Sequence, residues 1–380
     1  MMTRRERLMA SLQGRAVDRP AVSFYEIGGF EIDPSNPDEF NIYNDPSWRP
    51  LIELAEEHTD LIRMWGLRLK PAADNCRDEF FRTETWQENS RRFTKTLCRV
   101  ARRTLTALSR RDAGVDTVWQ VEHLLKDADD LKAYLELPDE ALGYEVDFSG
   151  IVEEDQRIGD RGIVMIDTED PICMAASLFS MEDFTIVAMT DQALFHRLLE
   201  KLAGGFHART ETAAKSLPGY LWRIYGAEFC SEPYLPPRLF DEYVVRYTGP
   251  MVQAVRRHGG YARIHCHGRI SAILPSIVKM GASAIDPIEP PPQGDMPLAQ
   301  VRLRYGKELT LFGNLEASDI ENMPPREFEK VVALSLRDGT AGEGKGFVLM
   351  PSASPYGRTI TPRALANYQT IVRLATGFRP

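Results

Sequence analysis

The chain has 380 residues, 43% of them hydrophobic, enough to bury a substantial core; α/β barrels with insertions commonly reach this length. Lys and Arg number 46 against 55 Asp and Glu, and the net charge of −9 gives no electrostatic reason to approach nucleic acid or an anionic membrane. No apolar run long enough to span a bilayer is present, the N-terminus lacks the apolar core of a signal peptide, and five scattered cysteines do not form a disulfide framework. A cytoplasmic protein with reduced thiols is expected.

The first 20 residues carry helix grammar: Thr3 can cap, Glu6 three residues later closes a capping box, and Leu8, Met9 and Leu12 supply the apolar stripe that Gly14 ends. Pro20 then leads into a strand over Val22 to Ile27, stopped by Gly28 and Gly29. Between Arg19 and Arg49 no Lys or Arg occurs, whereas Glu26, Glu31, Asp33, Asp38, Glu39 and Asp45 do. A helix from Leu51 to His58 and a strand from Leu61 to Trp65 follow. Residues 70–118 read as an irregular insertion; its basic run, Arg91 to Arg111, is read as a solvated hairpin or helix face, with a docking patch as the alternative. In "TVWQVEHLLKDADDLKAYLELP" a strand end precedes a helix with Leu131, Tyr134 and Leu135 on one face.

From Gly162 onward short apolar runs alternate with amphipathic segments of helical length. The strand candidates are "GIVMID", "LWRIYG", "YARIHC", "SAIDPI", "LTLFG" and "GFVLM". Helices are expected over "PPRLFDEYVVRYTGPMVQAVRRHGG", after Asp295 as a cap, over "PPREFEKVVALSLRDG", and after Thr361 with Pro362 at the first helical position. Alternating β and α at this spacing implies a parallel sheet, and about eight strands without a Gly-rich dinucleotide fingerprint favour a closed TIM-type (β/α)8 barrel spanning residues 1–380.

Such a barrel places its chemistry at the C-terminal ends of the strands. The residues there are Tyr25 and Glu26, Asp167, Glu228, His265 and His267, Glu289 and Asn314. In an extended segment His265 and His267 project to one side while Cys266 projects to the other, packing as a small hydrophobe. Two imidazoles on one face suit zinc, although one could equally pack while the other bonds a neighbouring loop. Pro290 to Pro292 stiffen the loop that carries Glu289.

Together, "TRRERLMASLQGRAVDRPAV", "WQVEHLLKDADDL", "HCHG", "GASAIDPIEPPPQGD", "LFGNLE", "GFVLMPSASP" and "TPRALANYQTIV" resemble the uroporphyrinogen decarboxylase superfamily, nearly end to end. The resemblance implies a barrel and two branches of activity: haem-pathway decarboxylases and corrinoid-dependent methyltransferases. The decarboxylases bind a polyanionic porphyrinogen through an Arg-Gln-Ala-Gly-Arg loop. Here Pro20 to Trp48 has no cation and six carboxylates, which disfavours that substrate. The methyltransferases hold zinc through a His-x-Cys-Gly motif and a second Cys near the last strand. On that pattern His265 matches the family histidine, His267 stands in place of the first cysteine, and Met350 to Ser354 contains no second one.

What the resemblance leaves is a harder site, His265 and His267 completed by Glu228 or Glu289, or no metal. Imidazole and carboxylate ligands suit a Lewis-acidic zinc that polarises an ether or hydroxyl oxygen. The resemblance thus implies methyl transfer between a small methoxylated or methylated compound and the cobalt of a partner corrinoid protein. Glu228 or Glu289 would shuttle the proton, and Tyr25, Glu26, Asp167 and Asn314 would line the substrate. A lyase or decarboxylase acting on another small acid, and a binding protein without chemistry, are the alternatives; a homodimer is left open.

Overall fold

The computed structural model describes residues 2–25, 27, 33–344, 346–355 and 357–379. Eight parallel strands form the central sheet: β1 (Ala21–Val22), β2 (Leu61–Gly66), β3 (Gly162–Glu169), β4 (Leu221–Tyr225), β5 (Tyr261–His265), β6 (Ala284–Asp286), β7 (Thr310–Leu315) and β8 (Phe347–Pro351). Each neighbours its successor from β2 to β8, and β8 pairs with β1. The remaining seam is closed at Asp60, whose backbone N donates to Val22 O at 2.6 Å while its Oδ2 accepts from Val22 N at 2.9 Å. This is the TIM-type barrel expected from the alternation of apolar runs and helices.

Two apolar clusters follow from the period-2 pleat. Residues such as Ile62, Met64, Ile163, Met165, Leu221, Ala284, Phe312, Val348 and Met350 fill the barrel interior. Their outward neighbours, among them Val164, Ile166, Trp222, Ile224, Ala262, Ile264 and Cys266, pack against the surrounding helices. The N-terminal helix, Arg4–Leu12, has the expected capping box between Thr3 and Glu6 and adds Leu8 and Leu12 to the interior cluster. Its residue Ser11 accepts from Gly346 N and Thr310 Oγ1, so the helix seals the N-terminal end of the barrel. Buried Asp60 ties that end together by pairing with Arg7 and Arg19.

Three expectations need correction. The first strand is Ala21–Val22 rather than Val22 to Ile27. Asp295 does not cap the next helix: it accepts from Ile270 N and Ser271 N at 3.0 Å each, and the helix Leu298–Tyr305 starts after Pro297 with no side-chain cap. The insertion is regular. Strands Phe81–Glu88, Arg91–Val100, Arg103–Asp112 and Val118–Glu122 form an antiparallel sheet, reached through a two-stranded neck of Arg68–Pro71 and Tyr144–Asp147.

The outer strands of this sheet are exposed along nearly their whole length and the central two are only partly buried, so none shows the clean apolar alternation that marks a strand with one buried face. Its tight turns use Asn89–Ser90 and Ala101–Arg102 at positive φ, and the second pair lacks the Asn-Gly signature of such turns. The basic run is the central hairpin of this sheet, as one of the two readings had it. Arg92 pairs with Asp38, Arg103 with Asp130, Arg110 with Asp112 and Arg111 with Asp116, so much of its charge is neutralised within the chain. All five cysteines are free, and no helix among the described residues is long and apolar enough to cross a membrane.

Candidate active site at the barrel mouth

Strand register brings the inward-facing polar residues into two layers. Asp167 of β3 is opposite Arg223 of β4, which is opposite Arg263 of β5. One layer higher, Glu169 is opposite Tyr225, Tyr225 opposite His265, and His265 opposite Asp286 of β6. The lower layer is held by ion pairs: Arg223 Nη1 lies 2.8 Å from Asp167 Oδ1, and Arg263 Nε lies 3.0 Å from Asp286 Oδ1. Arg263 is fully buried, its guanidinium 4.7 Å from the Tyr25 ring and 4.9 Å from that of Phe312. Two aromatic faces thus replace part of the hydration this charge has lost.

His265 is buried, with Nδ1 2.9 Å from Asp286 Oδ2. Burial alone would raise the Asp286 carboxyl, but the adjacent Arg263 charge and His265 outweigh it, and the group lies well below the ordinary carboxylate range. An ionised carboxylate only accepts, so His265 must donate Nδ1–H and keep its Nε2 lone pair. Burial, reinforced by Arg223, pushes the imidazole down to about 3, so His265 is neutral at any working pH.

His267, two residues on, has its ring centroid 4.6 Å from that of His265, nearly perpendicular at 89°. Its Nδ1 is 2.8 Å from Glu289 Oε1, while Glu289 Oε2 accepts from Gly268 N at 2.6 Å. Burial opposes protonation of His267, but the Glu289 hydrogen bond and charge prevail and raise it; the same bond lowers Glu289 against the effect of its own burial. Cys266 points into the outer cluster, as the alternation predicted.

Glu228 stands in the short turn Ala227–Cys230 after β4. Among the described residues its Oε2 is buried without a hydrogen-bond partner, and burial raises its carboxyl. Asn314 Oδ1, in β7, is likewise buried and unpartnered among them. Asp167 is raised by burial despite Arg223. Tyr25 is buried against the two guanidiniums, so it forms part of the floor. Glu26 lies outside the described residues. At the position of the expected second cysteine, Ser352 Oγ accepts from Ala317 N and caps the helix after β7.

Sequence reasoning passed over Arg223, Arg263 and Asp286. Their signal was present: a charged residue two positions before the end of the apolar runs "LWRIY" and "YARIH" must face either apolar helices or the barrel interior. It also overcounted free acid in the segment from Pro20 to Trp48, where Asp38 pairs with Arg92 and Asp33 and Asp45 cap local turns through Ser35 and Ser47.

Whether these groups fit a metal can be asked of their chemistry. A metal-bound histidine typically donates its other ring N–H to a carboxylate. Both His265 and His267 do so, and neither Nε2 has a hydrogen-bond partner among the described residues. The pair fits two ligand positions. Among the described residues no group of three or more His, Cys, Asp or Glu side chains is assembled to hold an ion. Glu228 Oε2, without a hydrogen-bond partner among the described residues, is open either to a third ligand position or to proton transfer.

Asp170, just beyond β3, gives a testable consequence. It is buried, caps the helix Pro171–Leu178 by accepting from Cys173 N, and accepts from Thr248 Oγ1. Burial raises its carboxyl to about 7. Above the pKa of an unfolded Asp the folded state holds the extra proton, so stability falls as pH rises from about 4 to 7. Asp170→Asn keeps a capping oxygen and removes the buried charge. Denaturation midpoints across this range are expected to slope less for the variant, which should match or exceed the parent at pH 8; a parallel slope would show that Asp170 titrates normally.

Residues 116–363 match the uroporphyrinogen decarboxylase (URO-D) family. No curated protein matches the chain by sequence. Among solved structures, a methyltransferase from Methanosarcina mazei superposes over 98% of each chain with a TM-score of 0.60 at 14% identity, a likeness of fold. A D-psicose 3-epimerase with D-fructose covers 65% of this chain and 85% of its own, with a TM-score of 0.32 at 13% identity. With the family matched across about two thirds of the sequence and the barrel it implies in place, the chain belongs to the uroporphyrinogen decarboxylase family.

Proposed function

We propose that the protein moves a methyl group between a small methoxylated or otherwise methylated compound and the cobalt of a corrinoid carried by a partner protein. One observation carries this reading: paired imidazoles, each with Nδ1 on a carboxylate and Nε2 unpartnered among the described residues, near Glu228 Oε2, which is buried and unpartnered among them as well. Family membership and the fold shared with a methyltransferase support it. In this reading His265 and His267 hold zinc through Nε2, and bound zinc supplies Lewis acidity towards an ether or hydroxyl oxygen.

The other roles belong to the chain. Asp286 and Glu289 fix the tautomer and orientation of the two imidazoles. Glu228, its carboxyl raised by burial, delivers the proton to the departing oxygen. Asn314 and Asp167 line the substrate over the Tyr25 floor. The Asp167–Arg223 and Asp286–Arg263 pairs are neutralised in place, which favours a neutral donor over a polyanion.

Protein prepared without chelator is expected to carry about one zinc per chain, most of it lost in His265→Ala and in His267→Ala. Mixed with cob(I)alamin and candidate methyl donors, it should change the cobalt absorbance. Absence of any transition metal on elemental analysis, together with unchanged absorbance across neutral methoxylated donors, would remove the proposal.

A further inference from the structure

A second cavity, of about 490 Å³, lies outside the barrel between the insertion sheet and the helices Pro171–Leu178 and Gln192–Ser216. None of the histidines and carboxylates of the barrel mouth lines it. Its walls are largely apolar, with Phe81, Leu124, Met174, Leu178, Leu202 and Phe206 among them, and its volume is that of a small-molecule site.

The cations around it do not balance. Lys201 is satisfied by Asp139 Oδ1 and Leu137 O at 2.6 Å each, and Arg209 Nη2 by Glu169 Oε1 at 2.9 Å. Arg77 lies with its guanidinium 4.0 Å from the Phe81 ring and has no carboxylate partner among the described residues. Among the described residues one positive charge is therefore left over at the edge of a largely apolar cleft. Donors are also left over. Among the described residues Arg209 Nε is buried without a partner on a side chain only 10% exposed, whereas the hydroxyls of Tyr134 and Tyr144, also in the lining, make no hydrogen bond but are open to solvent. Unmade hydrogen bonds at buried donors are costly unless something else supplies the acceptor.

The helix wall points the same way. Gly204 and Gly205 sit side by side in the interior of a 25-residue helix, where each is roughly 1 kcal/mol less favourable than alanine. A Cβ at either would meet nothing within 4 Å, so helix packing does not require glycine there. Both line the cavity and are solvent-exposed, so a side chain there would stand at its open side.

We propose that this cavity binds a small molecule with an apolar, aromatic body and a single acidic group, the acid pairing with Arg77 and the orphaned Arg209 Nε and the tyrosine hydroxyls taking its remaining oxygens. The site is separate from the barrel mouth and does not depend on the methyl-transfer reading.

Two fluorescent probes with the same aromatic body test it on the intact chain: 1-anilinonaphthalene-8-sulfonate, which is anionic, and N-phenyl-1-naphthylamine, which is neutral. The sulfonate is expected to bind one saturable site. Arg77→Gln should weaken it about tenfold or more and change the neutral probe less than about twofold. Gly205→Met, which places a side chain at the open side of the cavity and improves helix propensity, should weaken both probes about tenfold or more without lowering the melting temperature. His267→Ala should affect neither. Sulfonate binding that survives Gly205→Met, that falls equally for both probes in Arg77→Gln, or that is lost in His267→Ala would overturn the proposal, as would absence of saturable binding.

Discussion

Asp286→Ala is expected to destabilise the protein by about 3–5 kcal/mol, a large share of the total stability of a typical domain. Asp286 is completely buried between two groups that depend on it: Arg263, which is equally buried, and His265. Removing the carboxylate leaves the guanidinium with only the faces of Tyr25 and Phe312, and leaves His265 Nδ1–H without an acceptor. The Arg263 charge cannot be shed, because a guanidinium does not deprotonate at accessible pH. Combining Asp286→Asn with Arg263→Met removes both charges and should recover part of the loss, since replacing a buried pair is far less costly than breaking it. Urea denaturation of the three chains decides the point. A loss below about 1 kcal/mol for Asp286→Ala would mean that water reaches Arg263.

Glu228→Gln and Glu289→Gln are expected to separate proton delivery from ligand support. Glu228 has one oxygen without a partner among the described residues and is shifted towards its acid form by burial. Its amide analogue keeps the shape and loses the proton, so turnover should fall about 10²- to 10⁴-fold with zinc content unchanged. Activity of the parent should also decline on the alkaline side, as Glu228 ionises. Glu289 has both oxygens committed, to His267 and to the backbone of Gly268. An amide there can satisfy only one of the two donors with its single carbonyl oxygen, so His267 loses its orienting partner and metal affinity should fall about 10- to 100-fold. Of the two glutamates the sequence leaves open as proton shuttle, Glu228 is the better fit, because the hydrogen bonds of Glu289 engage it with His267 and Gly268. If Glu228→Gln loses zinc, that residue is a ligand; if neither variant changes zinc or turnover, neither takes part.

The sequence alone determined the barrel, because alternation of apolar strands with amphipathic helices is a local pattern, and burial on both faces of a parallel strand leaves a largely apolar run. It also determined which strand ends carry polar residues, and that His265 and His267 share a side, since the two-residue period of a strand is a property of the backbone. Only the tertiary structure decided the partners. Asp286 and Glu289 reach the two histidines from the next strand and its loop, 21 and 22 residues away, and Arg263 finds its aromatic clamp in Tyr25 and Phe312, which come from opposite ends of the chain. The insertion sheet was unreadable for the complementary reason: its order comes from cross-strand hydrogen bonds between strands that bury few side chains, and such pairing leaves no apolar period in the sequence. Which of Glu228 and Glu289 keeps a free oxygen depends on contacts between separate strand ends, and only the closure of the barrel brings those ends together.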